Sequence, residues 1–326
     1  MNDQIYSLTE VRELLQAVNP GPRPSEVIVF VHGIYSSHKT FETLAKDLRQ
    51  NGIGADFLFA YFDYDFKKEI PTNGKRLAIE LEGIFANEDI RVTLVCHSMG
   101  GLVGRLALLQ NGPTMNFVKR LVMLATPNHG TLHTGRLALL AHITRETTGV
   151  LWAFSNRHIG IKQLTEVDEW LRPFLTTGEA KTYNVDYVTI PALFYHENTG
   201  LFRRRDRGQS AGLKVLNLGF ELTKALPFWT TGLGKPHDGI VEESSVYLGA
   251  RVPGRESERL GTCQCRPNCG GYVHVFHNQE HKEVDHVTVQ SSETTALILA
   301  DILKFPTLAD WRNRTQLAGC SFEPPV

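Results

Sequence analysis

The sequence predicts an α/β fold in which a mostly parallel central sheet carries helices on both faces. Up to Gly130, apolar runs of strand length alternate with amphipathic helical patterns. These runs are apolar at nearly every position, as in strands that are buried on both sides of a parallel sheet. A length of 326 residues and a hydrophobic content of 42% suffice for one large core. We therefore expect residues 1–326 to form a single domain.

The individual strands and helices follow from the same patterns. The N-terminal residues favour a short amphipathic helix, and strands are predicted in SEVIVFVHG, IGADFLFAYF, RVTLV and VKRLVMLAT. Helices are predicted after the first three of these strands, beginning with the helical spacing of Phe41, Leu44 and Leu48. Asn111-Gly112 should end the third of these helices. Towards the C-terminus we expect a strand in YVTIPALFYHE, a helix start in VEESSVYLG and a closing helix in ETTALILADILKF.

The regular alternation ends after Gly130. Residues 131–185 contain helical patterns but no clear strand, and we predict a helical cap there, with an outer limit at about residue 230. Residues 250–285 are polar and rich in cysteine and histidine, and we predict a loop. The sequence therefore indicates one α/β domain whose later strands are separated from the earlier ones by an insertion.

Composition argues against several classes of protein. A net charge of −1 is not that of a nucleic-acid-binding protein, and the basic run at 203–207 is typical of a solvated loop. No apolar run reaches the roughly 18 residues that a transmembrane helix needs. The N-terminus carries charges within its apolar pattern, unlike a secretory signal, and the five cysteines are an odd number. We expect a cytoplasmic protein.

The stretch RVTLVCHSMGGLVG, residues 91–104, has the form of a strand, a tight turn and a helix. In a nucleophile elbow, G-x-S-x-G, a strained serine is lifted out of the sheet, so small residues are needed two positions before and after it. Gly100 meets this demand, and Cys96, at the first glycine position, is small and apolar. The helix N-terminus favours developing negative charge. We predict Ser98 as a nucleophile, with a capping serine as the alternative.

A serine nucleophile needs an aligned base and donors for the oxyanion of its tetrahedral intermediate. His32-Gly33 ends the strand in VIVFVHG, where a backbone N–H group can face Ser98. We predict the amides of Ile34 and of Met99, the residue after the nucleophile, as the oxyanion hole. A simple strand-ending turn is the alternative for His32-Gly33.

Three motifs in this order resemble those of the α/β-hydrolase lipases and related serine esterases. They are VFVHGIYSS, VCHSMGGLVGRLAL and LATPNHGT, and all of them lie within residues 26–131. Beyond this region the resemblance is limited to two short segments. It implies an α/β-hydrolase fold, a carboxylic ester as the substrate, and the chain order nucleophile, acid, histidine.

The acid and the base are expected beyond the predicted cap. KPHDGIVEESS contains Asp238 in a D-G-x-V segment similar to the one that carries the acid in lipases, with Glu242 and Glu243 as rivals. A carboxylate there would orient the histidine and stabilise its imidazolium. His286 in EVDHVTVQSS resembles the family's D-H position and lies just before the closing helix. We predict His286 as the base, with His281 as the second candidate.

Two other groups of residues receive simpler interpretations. The segment 250–285 holds possible zinc ligands or disulfide partners, and free thiols are favoured because C-x-C-x3-C is not a standard zinc spacing. These residues are Cys263, Cys265, Cys269, His274 and His277. His97 flanks the predicted pocket and is interpreted as a packing residue, with a second base as the alternative. No metal or organic cofactor is expected.

The predicted chemistry is ester hydrolysis through an acyl-enzyme on Ser98, with His286 as the base and Asp238 as the acid. The resemblance implies a carboxylic ester, a lipid or phospholipid among the candidates, and contact with a membrane surface would then be transient. An acyltransferase or amidase would use the same triad. A non-catalytic interaction protein on this fold is the third alternative.

Overall fold

The structure, a computed structural model, describes the central sheet and most of the helices that cover it. The described residues are 4–17, 23–111, 114–131, 159–164, 167–176, 185–192, 238, 241, 243–251, 259–263, 269–276, 284, 286, 288–314 and 321–323. Among the described helices, none has the length and hydropathy needed to cross a lipid bilayer.

The strands are numbered in chain order. They are β1 (Tyr6–Ser7), β2 (Glu26–Val31), β3 (Phe57–Phe62), β4 (Arg91–His97), β5 (Val118–Leu124), β6 (Val185–Ile190), β7 (Gly249–Arg251), β8 (Arg259–Cys263), β9 (Cys269–Phe276) and β10 (Ser321–Glu323). The main sheet has the order β1-β3-β2-β4-β5-β6-β9-β10. Neighbouring strands in this sheet are parallel, except that β9 and β10 are antiparallel. Strands β7 and β8 form a separate antiparallel pair.

The helices follow the strands closely in the first part of the chain. They are α1 (Leu8–Gln16), α2 (Glu42–Gln50), α3 (Ile70–Phe85), α4 (Met99–Asn111), α5 (Ile159–Gln163), α6 (Val167–Thr176), α7 (Glu243–Val246), α8 (Glu293–Leu303) and α9 (Leu308–Arg314). Ser7 and Glu10 form a reciprocal capping box at the start of α1. Helix α3 begins at Ile70, and Pro71 is well suited to its first turn.

The sheet separates two hydrophobic clusters, which explains why its strands are apolar at almost every position. On β4, Leu94 packs with α1, α3 and α4 on one face, whereas Val95 packs with α2 and α8 on the other. Val29 and Phe30 on β2 alternate in the same way. Both faces are thus covered, as in a doubly wound parallel sheet.

The order of the strands positions the functional residues. From β2 the chain moves outward to β3 and then returns to β4 on the other side of β2. Ligand sites in such sheets form beyond the carboxyl ends of the strands at the point where the order reverses. Val31 on β2 pairs with Cys96 on β4, so the segments that follow the two strands begin side by side. This arrangement is the α/β-hydrolase fold that the sequence predicts.

The prediction of a loop over residues 250–285 is wrong in part. Strand β8 lies within it, and β9 is a full member of the main sheet, parallel to β6 and antiparallel to β10. Val273 and Val275 alternate along β9 and are buried, and this period-two pattern is the signal for a strand. The polar composition around the strand obscured it. The intervening residues 252–258, 264–268 and 277–283 lie outside the described part.

The predicted cap lies largely outside the described residues. Helices α5 and α6 fall within residues 131–185, but residues 132–158 and 177–184 are among those not described. The strand expected in YVTIPALFYHE is observed as β6, which begins at Val185 and ends before Pro191. A proline lacks the N–H group that would continue a sheet ladder, so it is a natural end for this strand.

Candidate active site

Ser98 lies at a sharp turn between β4 and α4. Its φ angle is 53°, in the left-handed region that non-glycine residues rarely adopt. The Ser98 N–H donates to the carbonyl oxygen of Leu124 at 2.9 Å, and the Gly101 N–H donates to the carbonyl oxygen of Ser98 at 3.0 Å. These two hydrogen bonds hold the strained backbone in place and present the serine at the carboxyl edge of the sheet.

Two further strained residues lie at the same edge. Tyr35 follows β2 with a φ of 51°, and Ala125 follows β5 with a φ of 48°. Strands β2 and β5 flank β4, so the three left-handed residues lie in the segments that follow three neighbouring strands. Strained backbone persists where the surrounding structure holds it and is concentrated at functional sites.

Two glycines allow the backbones of this edge to approach one another. A β-carbon on Gly33 would lie 2.9 Å from Cβ of Ser98. A β-carbon on Gly100 would lie 2.5 Å from the carbonyl oxygen of Val31 and still closer to that of His32. Both positions therefore require glycine, and the two motifs predicted to form the site pack directly against each other.

Cys96 is fully buried beneath this turn. Its sulfur lies against α4, where Gly104 leaves room for it. Burial raises the pKa of the Cys96 thiol far above its ordinary value. A protonated thiol without access to solvent is a packing group and not a nucleophile.

The three residues predicted to form a catalytic triad are in hydrogen-bond contact. Nε2 of His286 lies 2.9 Å from Oγ of Ser98, and Nδ1 of His286 lies 2.7 Å from Oδ2 of Asp238. The other carboxylate oxygen of Asp238 accepts the Val241 N–H at 2.6 Å. Because a carboxylate can only accept, Nδ1 carries the proton and Nε2 is free to accept one from the serine. All three side chains are buried.

His97 has a more specific contact than the packing role predicted for it. Its Nε2 lies 2.8 Å from the carbonyl oxygen of His286 and therefore donates a hydrogen bond to it. In the described part of the chain, Nδ1 of His97 has no hydrogen-bond partner. Burial, with a smaller contribution from His286, lowers the pKa of His97 to about 3, so the ring is neutral. His97 thus ties the backbone of the predicted base to the elbow.

A buried polar network supports the segment that carries the acid. Arg105 on α4 donates to Oδ1 of Asn128 at 3.0 Å, and Nδ2 of Asn128 donates to the carbonyl oxygen of Val246 at 2.8 Å. Val246 ends α7, which begins shortly after Asp238. The sequence interpretation assigned no role to Arg105 or Asn128. A charged residue among the apolar positions of α4 was the available signal.

The two residues whose amides are predicted as oxyanion donors each have a connection to Ser98. Met99 is the first residue of α4, and the N–H groups of a first helical turn have no acceptor within their own helix. Ile34 follows Gly33, the residue packed against Cβ of Ser98. Met99 is thus bonded directly to Ser98, and Ile34 adjoins the glycine that packs against it.

The remaining sequence candidates lie partly outside the described part of the chain. His281, Glu242, Cys265 and His277 lie outside the described part of the chain, whereas Glu243 begins α7, Cys263 ends β8, and Cys269 and His274 lie on β9. Within the residues that the structure describes, no group of three or more His, Cys, Asp or Glu side chains could hold a metal ion.

Solved structures with a similar fold include several hydrolases. Phospholipase PlaB from Legionella pneumophila aligns with a TM-score of 0.54 at 13% identity, over 88% of this chain and 62% of PlaB. The chain therefore spans less than two thirds of that protein. Lipase BlEst2 from Bacillus licheniformis aligns with a TM-score of 0.49 at 20% identity, over 90% of this chain and 96% of the mature lipase. A metagenomic carboxyl esterase, MGS0156, has a TM-score of 0.46 at 14% identity, with 91% of each chain covered.

At identities this low, the similarity shows a shared fold and nothing more. The shared fold agrees with the observed order of strands in the sheet. No curated protein sequence matches the chain. A family model described as a domain of unknown function, DUF7379, matches residues 4–170, which is slightly more than half of the chain and includes β1 to β5 with the elbow. The chain belongs to this DUF7379 family.

Proposed function

We propose that the protein hydrolyses carboxylic esters through an acyl-enzyme, with Ser98 as the nucleophile, His286 as the general base and Asp238 as the acid that orients it. The observation that supports this most directly is the continuous hydrogen-bonded chain from Oγ of Ser98 through the imidazole to Oδ2 of Asp238, with distances of 2.9 and 2.7 Å. Such a chain is the arrangement that activates a serine hydroxyl.

In the acylation step, Nε2 of His286 takes the hydroxyl proton while Oγ of Ser98 forms a bond to the ester carbonyl carbon. The carbonyl oxygen becomes an oxyanion, which the amides of Ile34 and Met99 would stabilise. The imidazolium proton then passes to the leaving alcohol oxygen as the ester C–O bond breaks. The products are a free alcohol and an acyl group on Ser98.

In the deacylation step, His286 removes a proton from water, whose oxygen attacks the acyl carbon. Collapse of the second tetrahedral intermediate releases the carboxylic acid and returns the proton from Nε2 to Oγ of Ser98. Asp238 stabilises the imidazolium in both steps without itself taking up the proton. Its other oxygen is occupied by the Val241 N–H, which fixes the orientation of the carboxylate.

The surroundings of the oxyanion loop favour an ester with an apolar part. Ile34, Tyr35 and Phe66 are half-buried, and the rings of Tyr35 and Phe66 are in contact with centroids 4.6 Å apart. An apolar surface that is not fully covered beside a nucleophile fits an acyl chain or a lipid. We therefore propose a lipid-like ester, a class to which the substrate in the name of phospholipase PlaB also belongs.

The nucleophile and base can be tested with a fluorophosphonate probe, which labels activated serines. We expect labelling of the native protein, no labelling of Ser98→Ala or His286→Ala, and near-native labelling of His281→Ala. Failure to label the native protein, or equal labelling of Ser98→Ala, would overturn the hydrolase proposal. Loss of labelling in His281→Ala with retention in His286→Ala would reassign the base.

The substrate class needs a separate measurement. Hydrolysis rates for p-nitrophenyl esters from acetate to palmitate, compared as kcat/KM, report the preferred acyl length. We expect an optimum at the longer chains because of the apolar residues beside the oxyanion loop. An optimum at acetate would contradict a lipid-like substrate while leaving the esterase chemistry intact.

A further inference from the structure

We propose that Tyr64 is a positioning residue for the oxyanion hole and that it acts through His32. The inference rests on the proposed esterase function and adds a residue that contacts neither the substrate nor the triad. Tyr64 lies two residues beyond the end of β3, next to β2 in the sheet. It is therefore close to the segment that follows β2, which contains His32, Gly33 and Ile34.

Tyr64 holds His32 at three points. The Tyr64 hydroxyl donates to the carbonyl oxygen of His32 at 2.8 Å, and the Tyr64 backbone N–H donates to Nε2 of His32 at 3.4 Å. The phenol ring stacks on the imidazole with centroids 4.5 Å apart and an interplanar angle of 14°. Both side chains are buried. One residue thus restrains the backbone, the ring nitrogen and the ring face of the other.

These contacts determine the tautomer of His32. An N–H group can only donate, so Nε2 of His32, which faces the Tyr64 N–H, must be unprotonated. A carbonyl can only accept, so Nδ1, which lies 2.7 Å from the carbonyl oxygen of Gly33, must carry the proton. Burial lowers the pKa of His32 and favours this neutral ring. The nearby Asp63 carboxylate is hydrogen-bonded to His38 and lies 3.6 Å from Nε2.

The protonated Nδ1 in turn determines where the predicted oxyanion donor points. The peptide group between Gly33 and Ile34 is planar, and in a trans peptide its C=O and N–H point in opposite directions. Because His32 holds the Gly33 carbonyl, the Ile34 N–H is directed away from the imidazole. Gly33 packs against Cβ of Ser98, so this peptide group adjoins the nucleophile.

The loop needs such a restraint because its backbone is strained. Tyr35, the residue after Ile34, has a φ of 51°. A residue in this region relaxes unless its surroundings hold it. Loss of the Tyr64 hydroxyl would free the His32 carbonyl and allow the Gly33–Ile34 peptide to rotate. The oxyanion would then lose part of its stabilisation, whereas ground-state binding of the ester would not.

The test compares Tyr64→Phe, which keeps the ring and the backbone N–H, with Tyr61→Phe, which removes a hydroxyl from β3 itself. We expect kcat of Tyr64→Phe to fall about tenfold with KM within twofold, since the lost hydrogen bond to the His32 carbonyl positions a donor that acts only in the transition state. Tyr61→Phe should keep both constants. Equal kinetics for Tyr64→Phe and the native enzyme would overturn the inference.

A second readout separates positioning from a general loss of folded enzyme. Thionoesters place sulfur, a weaker hydrogen-bond acceptor, where the oxyanion forms, so an ordered hole favours the oxygen ester. The ratio of kcat/KM for an ester and its thionoester should fall about fivefold in Tyr64→Phe and be unchanged in Tyr61→Phe. An unchanged ratio in an otherwise slower Tyr64→Phe would assign Tyr64 a structural role only.

The route through His32 is tested by a matched pair. His32→Asn places an amide N–H near the position of Nδ1, whereas His32→Gln places it near that of Nε2. We expect His32→Asn to keep most of the ester preference and His32→Gln to lose it. If the two variants have equal ester-to-thionoester ratios of kcat/KM, Tyr64 does not act through the Nδ1 proton of His32.

Nitrogen-15 NMR of His32 gives the tautomer without catalysis. A proton on Nδ1 is expected, and a proton on Nε2 would overturn the inference. A native protein that hydrolyses neither ester would instead refute the proposed function, so the two failures are distinguishable.

Discussion

The sulfur of Cys96 faces Gly104 across the interface between β4 and α4, 3.0 Å from the point that a β-carbon on Gly104 would occupy. Cys96 stands where the elbow motif ordinarily has its first glycine. Gly104, on the second turn of the helix, supplies the space that the missing glycine would have left. The substitution at one position is thus accommodated at the other.

A double-mutant cycle tests this compensation. Gly104→Ala should lower the free energy of unfolding by about 1–3 kcal/mol, because the added methyl would also lie 3.0 Å from Cδ1 of Leu121 and overpack the interface. Adding Cys96→Gly should recover about 1 kcal/mol or more of that loss. Urea unfolding of the two single variants and the double variant measures the coupling. Strictly additive changes would contradict it.

Cys96→Gly alone should keep most of the esterase activity, because the buried thiol has no chemical role. The rate of p-nitrophenyl ester hydrolysis measures this. A loss comparable to that of Ser98→Ala would show that the thiol takes part in catalysis.

Gly100→Ala should abolish fluorophosphonate labelling and strongly reduce stability. The new β-carbon would meet the carbonyl oxygens of Val31 and His32, which are backbone atoms and cannot turn away. Gly83→Ala is the matched control, since its nearest neighbour is the flexible Arg12 guanidinium at 3.1 Å. That helical position should gain up to about 1 kcal/mol. Thermal unfolding midpoints of the two variants measure the difference. Equal midpoints would show that Gly100 is not packed closely against the backbone of Val31 and His32.

Asp238→Asn should lower kcat by about 10³–10⁴ with little change in KM. The amide oxygen would accept the Val241 N–H in place of Oδ1, so the NH2 group would face Nδ1 of His286. The imidazole would then adopt the wrong tautomer for accepting the serine proton. Steady-state kinetics with a p-nitrophenyl ester measure the effect. Glu243→Gln, which changes the rival candidate for the acid, is the control, and its kcat should stay within twofold of the native value. A larger loss in Glu243→Gln than in Asp238→Asn would reassign the acid.

The buried His97 should make the fold less stable as the pH falls. Its pKa is about 3 in the folded protein and near 6.5 when unfolded, so only the unfolded state binds a proton between these values. The contribution of the neutral His97 to the free energy of unfolding is complete above pH 6.5, and it is lost progressively as the pH falls towards 3. Between pH 7 and pH 5 the loss should be about 2 kcal/mol.

His97→Gln is the matched variant for this measurement, because its amide can still donate to the His286 carbonyl but does not titrate. Urea unfolding at pH 7 and pH 5 should show a change smaller by about 2 kcal/mol in the variant than in the native protein. His32 is present in both proteins, so any contribution it makes to the pH dependence of stability cancels when the two are compared. The same pH dependence in both would contradict a neutral, buried His97.

Local patterns were sufficient to predict most strands and helices of the first part of the chain, and with them the fold class. The apolar runs, the turn at Ser98 and the glycines around it depend on neighbouring residues, so periodicity and turn chemistry reveal them. Strand β9 escaped prediction because polar, Cys- and His-rich residues surround its short alternation of Val273 and Val275.

The site itself was predicted only as an order of residues along the chain. Ser98 and His286 are separated by 188 positions, and only the order of the strands brings them to the same edge of the sheet. The contacts of His97 with His286, and of Tyr64 with His32, have no sequence signature because each joins elements that are distant in the chain. Sequence by itself determined which residues have the chemistry and where the chain turns. Tertiary structure decided which of them meet, since distances between side chains depend on packing that no local pattern encodes.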